Sequence, residues 1–211
     1  MFAQIKRWLI LPMMMLASVV MAEEYKAGEN YTVLDEPVPV LADGKVHVEE
    51  AFWYGCPHCF HLESYVEPWI AKLPADVEFT RVPAMFGRAW VAHAQLFYTT
   101  DVLGLQDKLH SAIFKAIQVG RQRLLTEDEQ RDFLVKNGGI TADQFNKAYN
   151  GFSVKSRMQQ GDKRIRAFHI SGVPALIVNG KYVVSASSAG GQDKMTDVVD
   201  FLIAKERAAS K

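Results

Sequence analysis

The sequence predicts an α/β fold built from a strand–helix–strand unit, a long helical stretch, and a β-hairpin followed by a closing helix. Three observations predict it. A strand pattern over residues 45–53 runs into Cys56-Pro57-His58-Cys59 and then into a helical stripe. The residues after Pro83 carry apolar positions at helical spacing, with two capping boxes among them. Ser171 to Val184 then reads as a hairpin turning at Asn179-Gly180.

Met1 to Ala22 has the form of a secretory signal peptide. Lys6 and Arg7 precede an apolar run, Trp8 to Leu16, interrupted by Pro12, and Val20-Met21-Ala22 offers a small-residue cleavage site. An uncleaved N-terminal anchor is the alternative. Either way the globular part leaves the cytoplasm for a compartment where disulfides persist. The remaining 189 residues carry 22 basic and 24 acidic side chains, a balance of −2. That is not the footprint of a nucleic-acid binder. The length suits one domain with a sizeable core, or a domain with a large insertion.

Tyr31 to Leu34 and Val38 to Leu41 are short edge-strand candidates, since Pro37 and Pro39 discourage central pairing. Asp43-Gly44 is a turn signal. In the strand that follows, Val46, Val48, Glu50, Phe52 and Tyr54 share one face, and His47, Glu49, Ala51 and Trp53 the other. Glu50 therefore lies on a mostly apolar face leading toward the cysteines. Buried there, it would have a raised pKa and could shuttle protons for Cys59; the plainer reading is a solvated or salt-bridged glutamate.

Cys56 and Cys59 are the chain's two cysteines. A pair at i and i+3, where a strand hands over to a helix, is the arrangement of a thioredoxin-like redox site. A sulfur at a helix start faces unsatisfied N–H groups and the positive end of the helix dipole, which favour thiolate. Pro57 suits the first turn, and His58 adds donors and, when protonated, positive charge. Each pKa unit by which Cys56 is lowered favours the reduced form by about 1.4 kcal/mol, or about 30 mV for a two-electron couple. A structural staple competes poorly, because closing so short a loop is worth only about 2 kcal/mol. Zinc would have Cys56, Cys59 and His58 or His61 as ligands but no second cysteine pair. Attachment of a c-type haem needs His directly after the second cysteine, where Phe60 stands.

Pro57 to about Leu73 is the expected helix, with Leu62, Val66, Trp69, Ile70 and Leu73 inward and Pro68 as a possible kink. Val77 to Val82 is the second strand, ended by Pro83. The helical stretch follows. Trp90, Val91, Ala94, Phe97 and Tyr98 form one stripe; Leu105, Leu109, Ala112, Ile113, Ala116 and Ile117 form another, stopped by Gly120. Thr126-x-x-Glu129 and Thr141-x-x-Gln144 introduce short helices, and a longer one is expected over 153–168. These apolar residues read as core, with Met85 and Phe86 as candidates for a peptide groove instead. After the hairpin, a loop over 185–191 and a helix from Gln192 to about Arg207 are expected. Pro174 opens the first hairpin strand. In the cis form it would leave neighbouring backbone groups free to pair with an extended peptide; a plain trans proline is the alternative.

Phe52-Trp53-Tyr54-Gly55-Cys56-Pro57-His58-Cys59, the helical stretch, Gly172-Val173-Pro174-Ala175-Leu176 and Asn179-Gly180 together resemble the DsbA family of periplasmic thiol:disulfide oxidoreductases. The likeness covers essentially the whole chain after the leader. It implies a thioredoxin fold with an inserted all-helical domain: residues 23–84 and 170–211 thioredoxin-like, and 85–169 the insertion. It also implies that Cys56 is the exposed nucleophile, Cys59 its resolving partner, and His58 a stabiliser of the Cys56 thiolate. Glu50 falls where the family has its buried glutamate. Val173 and a cis Pro174, with Pro57, would contact substrate backbone. No metal and no cofactor beyond the redox-active disulfide is implied. The implied partners are reduced extracytoplasmic proteins and a DsbB-like quinone-linked membrane oxidase, with the protein a periplasmic monomer. Trp53-Tyr54-Gly55 and Phe60-His61 depart from the family pattern, which bears on substrate preference more than on chemistry. A disulfide isomerase or reductase, and a peptide-binding chaperone, are the alternatives.

Overall fold

The computed structural model describes residues 25–209; the expected leader, 1–22, lies outside the described residues. Among these residues no helix is long and apolar enough to cross a membrane. The elements run β1 (Thr32–Val33), β2 (Val46–Phe52), α1 (Pro57–Ile70), β3 (Val77–Pro83), α2 (Arg88–Val102), α3 (Gln106–Gln118), α4 (Glu127–Gly138), α5 (Ala142–Tyr149), α6 (Phe152–Ala167), β4 (Ala175–Val178), β5 (Tyr182–Ser185), α7 (Ala186–Ala189) and α8 (Met195–Ala209). The five strands form one sheet in the order β1-β5-β4-β2-β3. β2 is parallel to β3, as a strand–helix–strand crossover requires, and antiparallel to β4. Helices α2 to α6 all fall between β3 and β4.

The two faces read from the β2 sequence are the two faces observed. Val46 and Val48 join Leu62 and Val66 of α1 and Val198, Val199 and Leu202 of α8 in one buried cluster. Ala51 packs on the other side with Ile165 of α6 and Phe168 just after it. All seven residues of β2 are buried, the polar ones included, because helices cover both faces of this central strand. Phe52 and Tyr54 carry the strand's core face into a third cluster with Phe97, Ile113, Phe114 and Phe145 of the helices. The redox segment is thereby seated on the sheet and the helical layer together.

Both capping boxes form, at Thr126 with Glu129 and at Thr141 with Gln144. Several boundaries differ from expectation. Val38 to Leu41 is not a strand; Val38 N–H instead donates to the Gly180 carbonyl at 2.8 Å, pinning a proline-flanked segment to the hairpin turn. Helix α1 stops at Ile70, three residues early. The expected loop after β5 contains the short helix α7, opened by a capping box of Ser185 with Ser188 that the serine-rich sequence concealed. A 3-10 turn, Gln192–Lys194, precedes α8. Val91, read as core, is 41% exposed, and Phe86, the candidate for a groove, is 48% exposed. Phe86 lies at the edge of an aromatic stack, 5.2 Å from Trp90, which in turn stacks on Trp53 at 4.2 Å.

The Asn179-Gly180 turn gives a direct test of this packing. Both residues have positive φ, 50° and 60°, as a two-residue turn of type I′ demands. A Cβ on Gly180 would lie 2.0 Å from the Val38 carbonyl oxygen. Gly180→Ala is expected to lower stability by about 2 kcal/mol, read as a lower denaturant midpoint with an unchanged slope.

Candidate active site

The chain leaves β2 at Phe52 and turns, with Cys56 N–H donating to the Trp53 carbonyl at 2.9 Å. Gln118 of α3 braces the turn, its side-chain amide donating to the Tyr54 carbonyl at 2.7 Å. Cys56 is the N-cap of α1, with extended φ and ψ of −89° and 117°, and Pro57 occupies the first helical position. The Cys59 backbone N–H donates to Cys56 Sγ at 3.4 Å. The sulfur thus takes the place of the oxygen that caps most helices. Both thiols are free. Cys56, expected to be exposed, is only 7% exposed, because the Val173 segment closes over it: its thiol donates to the Val173 carbonyl at 3.6 Å. Cys59 is fully buried.

This setting separates the two sulfurs. The Cys59 thiol, as hydrogen-bond donor, lowers the Cys56 pKa most; the backbone N–H groups of Cys59 and His58 and the His58 charge add to it against the opposing effect of burial, and the result is about 6. Burial, then the Cys56 sulfur, push the Cys59 thiol far upward. The structure therefore ranks the cysteine partner and the helix terminus above the His58 charge. Cys56 in the reduced protein is expected to titrate near pH 6 by thiolate absorbance. Cys59→Ala, which removes the donor, moves the midpoint up; Cys59→Ser, which keeps a hydroxyl donor, moves it less.

Glu50 is buried on β2, and its charge contributes to raising the Cys59 thiol. Its neighbour across the parallel register is Arg81, whose Nε donates to Glu50 Oε2 at 3.0 Å. Arg81 Nη2 also reaches Glu63 Oε2 at 3.3 Å and Glu67 Oε1 at 2.7 Å. One guanidinium cannot satisfy three carboxylates. Burial, with the Glu63 charge next, pushes Glu50 up to about 8 against the pull of Arg81. Burial likewise raises Glu63 to about 8. Glu50 is thus buried and ion-paired at once, which merges the two readings the sequence left open. Glu63, Glu67 and His110 present three ligand-type atoms within 4.8 Å of one another. Arg81 already pairs with both of those carboxylates, so the cation of this cluster is the protein's own.

The Val173–Pro174 peptide is cis. His58, Val173 and Pro174 line one groove of about 1080 Å³, with Val33, Phe168 and Ile170 among its apolar walls. Pro57 is exposed at the first turn but does not line that groove. Sequence reasoning missed Gln192, which donates to the His58 carbonyl at 2.7 Å and pairs with His61 Nδ1 at 2.6 Å, tying the active-site helix to the turn before α8. It also missed Arg81 and Glu63. Glu63 was signalled by its place four residues after Cys59, a charge within the Leu62 and Val66 stripe; Arg81 required the β2–β3 register.

A thiolate-prone cysteine capping a helix, a buried partner one turn on, and a cis X-Pro segment across the pair, all on this sheet, define a thiol:disulfide oxidoreductase of thioredoxin type. Comparison with known proteins agrees. A profile of the DSBA-like thioredoxin domain matches residues 73–200. The thiol:disulfide interchange protein DsbA of Pseudomonas syringae pv. tomato is 47% identical over 190 residues, covering 90% of this chain and 88% of the relative. That of Pseudomonas aeruginosa is 44% identical, covering 90% of each. The crystal structure of Pseudomonas aeruginosa DsbA superposes with a TM-score of 0.83 over 88% of this chain and 96% of that one. DsbA from Xylella fastidiosa, 33% identical, gives 0.81 over 87% of this chain and 98% of that one. The chain belongs to the DsbA family.

Proposed function

We propose that this protein is a disulfide donor: it passes a Cys56–Cys59 disulfide to reduced, newly exported proteins in the periplasm. The observation that carries the proposal is the placement of the two sulfurs: Cys56 caps α1 and accepts the Cys59 N–H, while Cys59 lies fully buried one turn on. In the reaction, a substrate thiolate attacks Cys56 Sγ. The Cys56–Cys59 bond breaks, and Cys59 leaves with the electron pair and takes a proton, for which Glu50 is the donor. A second substrate thiolate attacks the substrate sulfur of the mixed disulfide and expels Cys56 as thiolate. The substrate has then lost two electrons and two protons. The enzyme has gained two electrons and, above the Cys56 pKa, one proton; the other goes to solvent.

His58 supports the Cys56 thiolate, and Val173, Pro174 and Pro57 receive the substrate backbone. Residues 1–22 are the export signal, 23–84 with 170–211 form the catalytic domain, and 85–169 are the inserted helical domain. The protein acts as a monomer without metal or further cofactor, and a DsbB-like quinone-linked membrane oxidase restores the disulfide. Supporting this reading are the groove beside His58 and Pro174 and relatives named for thiol:disulfide interchange.

The test is refolding of a reduced, unfolded protein with the oxidised enzyme as sole oxidant. One substrate disulfide per enzyme disulfide is expected. Acceleration only when the enzyme is supplied reduced would move the assignment to an isomerase or reductase, and activity surviving replacement of both cysteines by Ser would move it to a chaperone. Replacing His58 with Leu is expected to raise the Cys56 midpoint by less than Cys59→Ala does, because the Cys59 thiol lowers it more than the ring charge does.

A further inference from the structure

The peptide group between His58 and Cys59 is hydrogen-bonded on both sides. Its N–H, at Cys59, donates to Cys56 Sγ at 3.4 Å. Its C=O, at His58, accepts from Gln192 Nε2 at 2.7 Å. A carbonyl can only accept, so the Gln192 amide must present its NH2 there and its Oε1 elsewhere. Oε1 lies 2.6 Å from His61 Nδ1. An amide oxygen can only accept, so that ring nitrogen carries the proton. The contacts form one series: His61 Nδ1–H to Gln192 Oε1, Gln192 Nε2–H to the His58 carbonyl, and Cys59 N–H to Cys56 Sγ.

Every donor in this series points toward the sulfur, so the two amide dipoles, the Gln192 side chain and the His58–Cys59 peptide, are aligned head to tail. Donation to the carbonyl of an amide draws electron density from its nitrogen and makes its N–H the better donor. A thiolate gains more from a better donor than a thiol does. The other groups facing Cys56 are the Cys59 thiol and the His58 charge from α1, and the Val173 carbonyl from the segment before β4. Gln192 comes from a third element, the turn before α8, where Gly190 and Gly191 at positive φ of 86° and 153° redirect the chain toward α1.

We propose that Gln192 is a positioning residue for Cys56: through the His58–Cys59 peptide it aims and polarises the Cys59 N–H, and so favours the thiolate. His61 is the outer end of the series and acts on Cys56 through Gln192. The consequence for oxidising strength rests on the reading of the protein as a disulfide donor; the effect on the thiolate does not. The segment after the hairpin thereby takes part in the chemistry of a sulfur that Gln192 does not touch.

The test is thiolate absorbance of the reduced protein across pH, with the Cys59 amide proton followed by NMR. Gln192→Leu keeps the bulk and removes both ends of the amide. It is expected to raise the Cys56 midpoint by roughly two- to fourfold in acid constant, the scale of cooperative strengthening of one hydrogen bond to a charged group. The Cys59 amide proton is expected to move upfield. Gln192→Glu, which keeps an acceptor for His61 but as a carboxylate cannot donate to the His58 carbonyl, is expected to raise the midpoint at least as far. His61→Phe keeps a ring beside Tyr65 and is expected to raise it by less, and by nothing further in a Gln192→Leu background. An unmoved midpoint in folded Gln192→Leu would overturn the proposal, since a mere tether would change stability alone. An undiminished His61 effect in that background would break the series. In the unmodified protein, nitrogen-15 shifts are expected to place the proton of neutral His61 on Nδ1; a proton on Nε2 alone would overturn the series without any variant. If the midpoint moves as expected while the unmodified protein fails to oxidise reduced substrate, the role of Gln192 stands and the disulfide-donor reading falls.

Discussion

Cys59→Ser is expected to abolish oxidation of reduced substrate and to leave Cys56 in stable mixed disulfides. Without Cys59 no internal disulfide forms, so the enzyme has no oxidising equivalent to give. The Cys56 thiolate remains, held by the helix terminus and a pKa of about 6. It attacks a substrate disulfide, forms a bond to one sulfur and expels the other as thiolate. In the native protein Cys59, buried one turn away, then attacks Cys56 and frees the substrate. Serine oxygen cannot do so, and the adduct persists. It is counted by non-reducing electrophoresis and mass spectrometry. Cys56→Ser is expected to show neither turnover nor adduct. Adducts on Cys59 in that variant, or normal turnover in Cys59→Ser, would contradict the assignment of nucleophile and resolving cysteine.

Arg164→Ala is expected to cost about 3–5 kcal/mol of stability, the usual result of stranding one member of a buried ion pair. Glu49 is buried on the α6-facing side of β2, and the Arg164 guanidinium meets both of its carboxylate oxygens. The same guanidinium donates to the Pro39 carbonyl at 2.8 Å and stacks 5.3 Å from the Phe168 ring. It therefore joins the last helix of the inserted stretch to the central strand. Equilibrium denaturation reads the loss directly. The double replacement Glu49→Gln with Arg164→Met, which leaves no stranded charge, is expected to recover most of it. A loss below about 1 kcal/mol in the single variant would mean that water reaches Glu49 and the pair behaves as a surface bridge.

The fold was legible where a local signal has one structural meaning. Alternation over 46–52 gave β2 and both its faces; Asn179-Gly180 gave the hairpin; two Thr-initiated boxes gave α4 and α5. What escaped depends on through-space pairing. Val38 looks like strand but bonds to a turn, and Val91 looks like core but is exposed. The place of Cys56 and Cys59 at the start of α1 and of Glu50 on a buried face of β2 was legible from spacing. Arg81 was not, since it meets Glu50 only through the parallel register. The low exposure of Cys56 was hidden for the same reason: the segment that covers it lies 117 residues away along the chain.

Stabilising Cys56 as thiolate makes its disulfide oxidising. Equilibration of the mature protein with glutathione across pH tests it most directly. A potential well above the roughly −270 mV of thioredoxin is expected. A change of slope near pH 6 is expected as well. Below that point reduction adds a second proton, on Cys56, and the potential gains about 30 mV per pH unit of steepness. A potential near that of thioredoxin, with no break near pH 6, would show that the helix terminus and the Cys59 thiol do not hold Cys56 as thiolate, and the assignment as disulfide donor would fall with it.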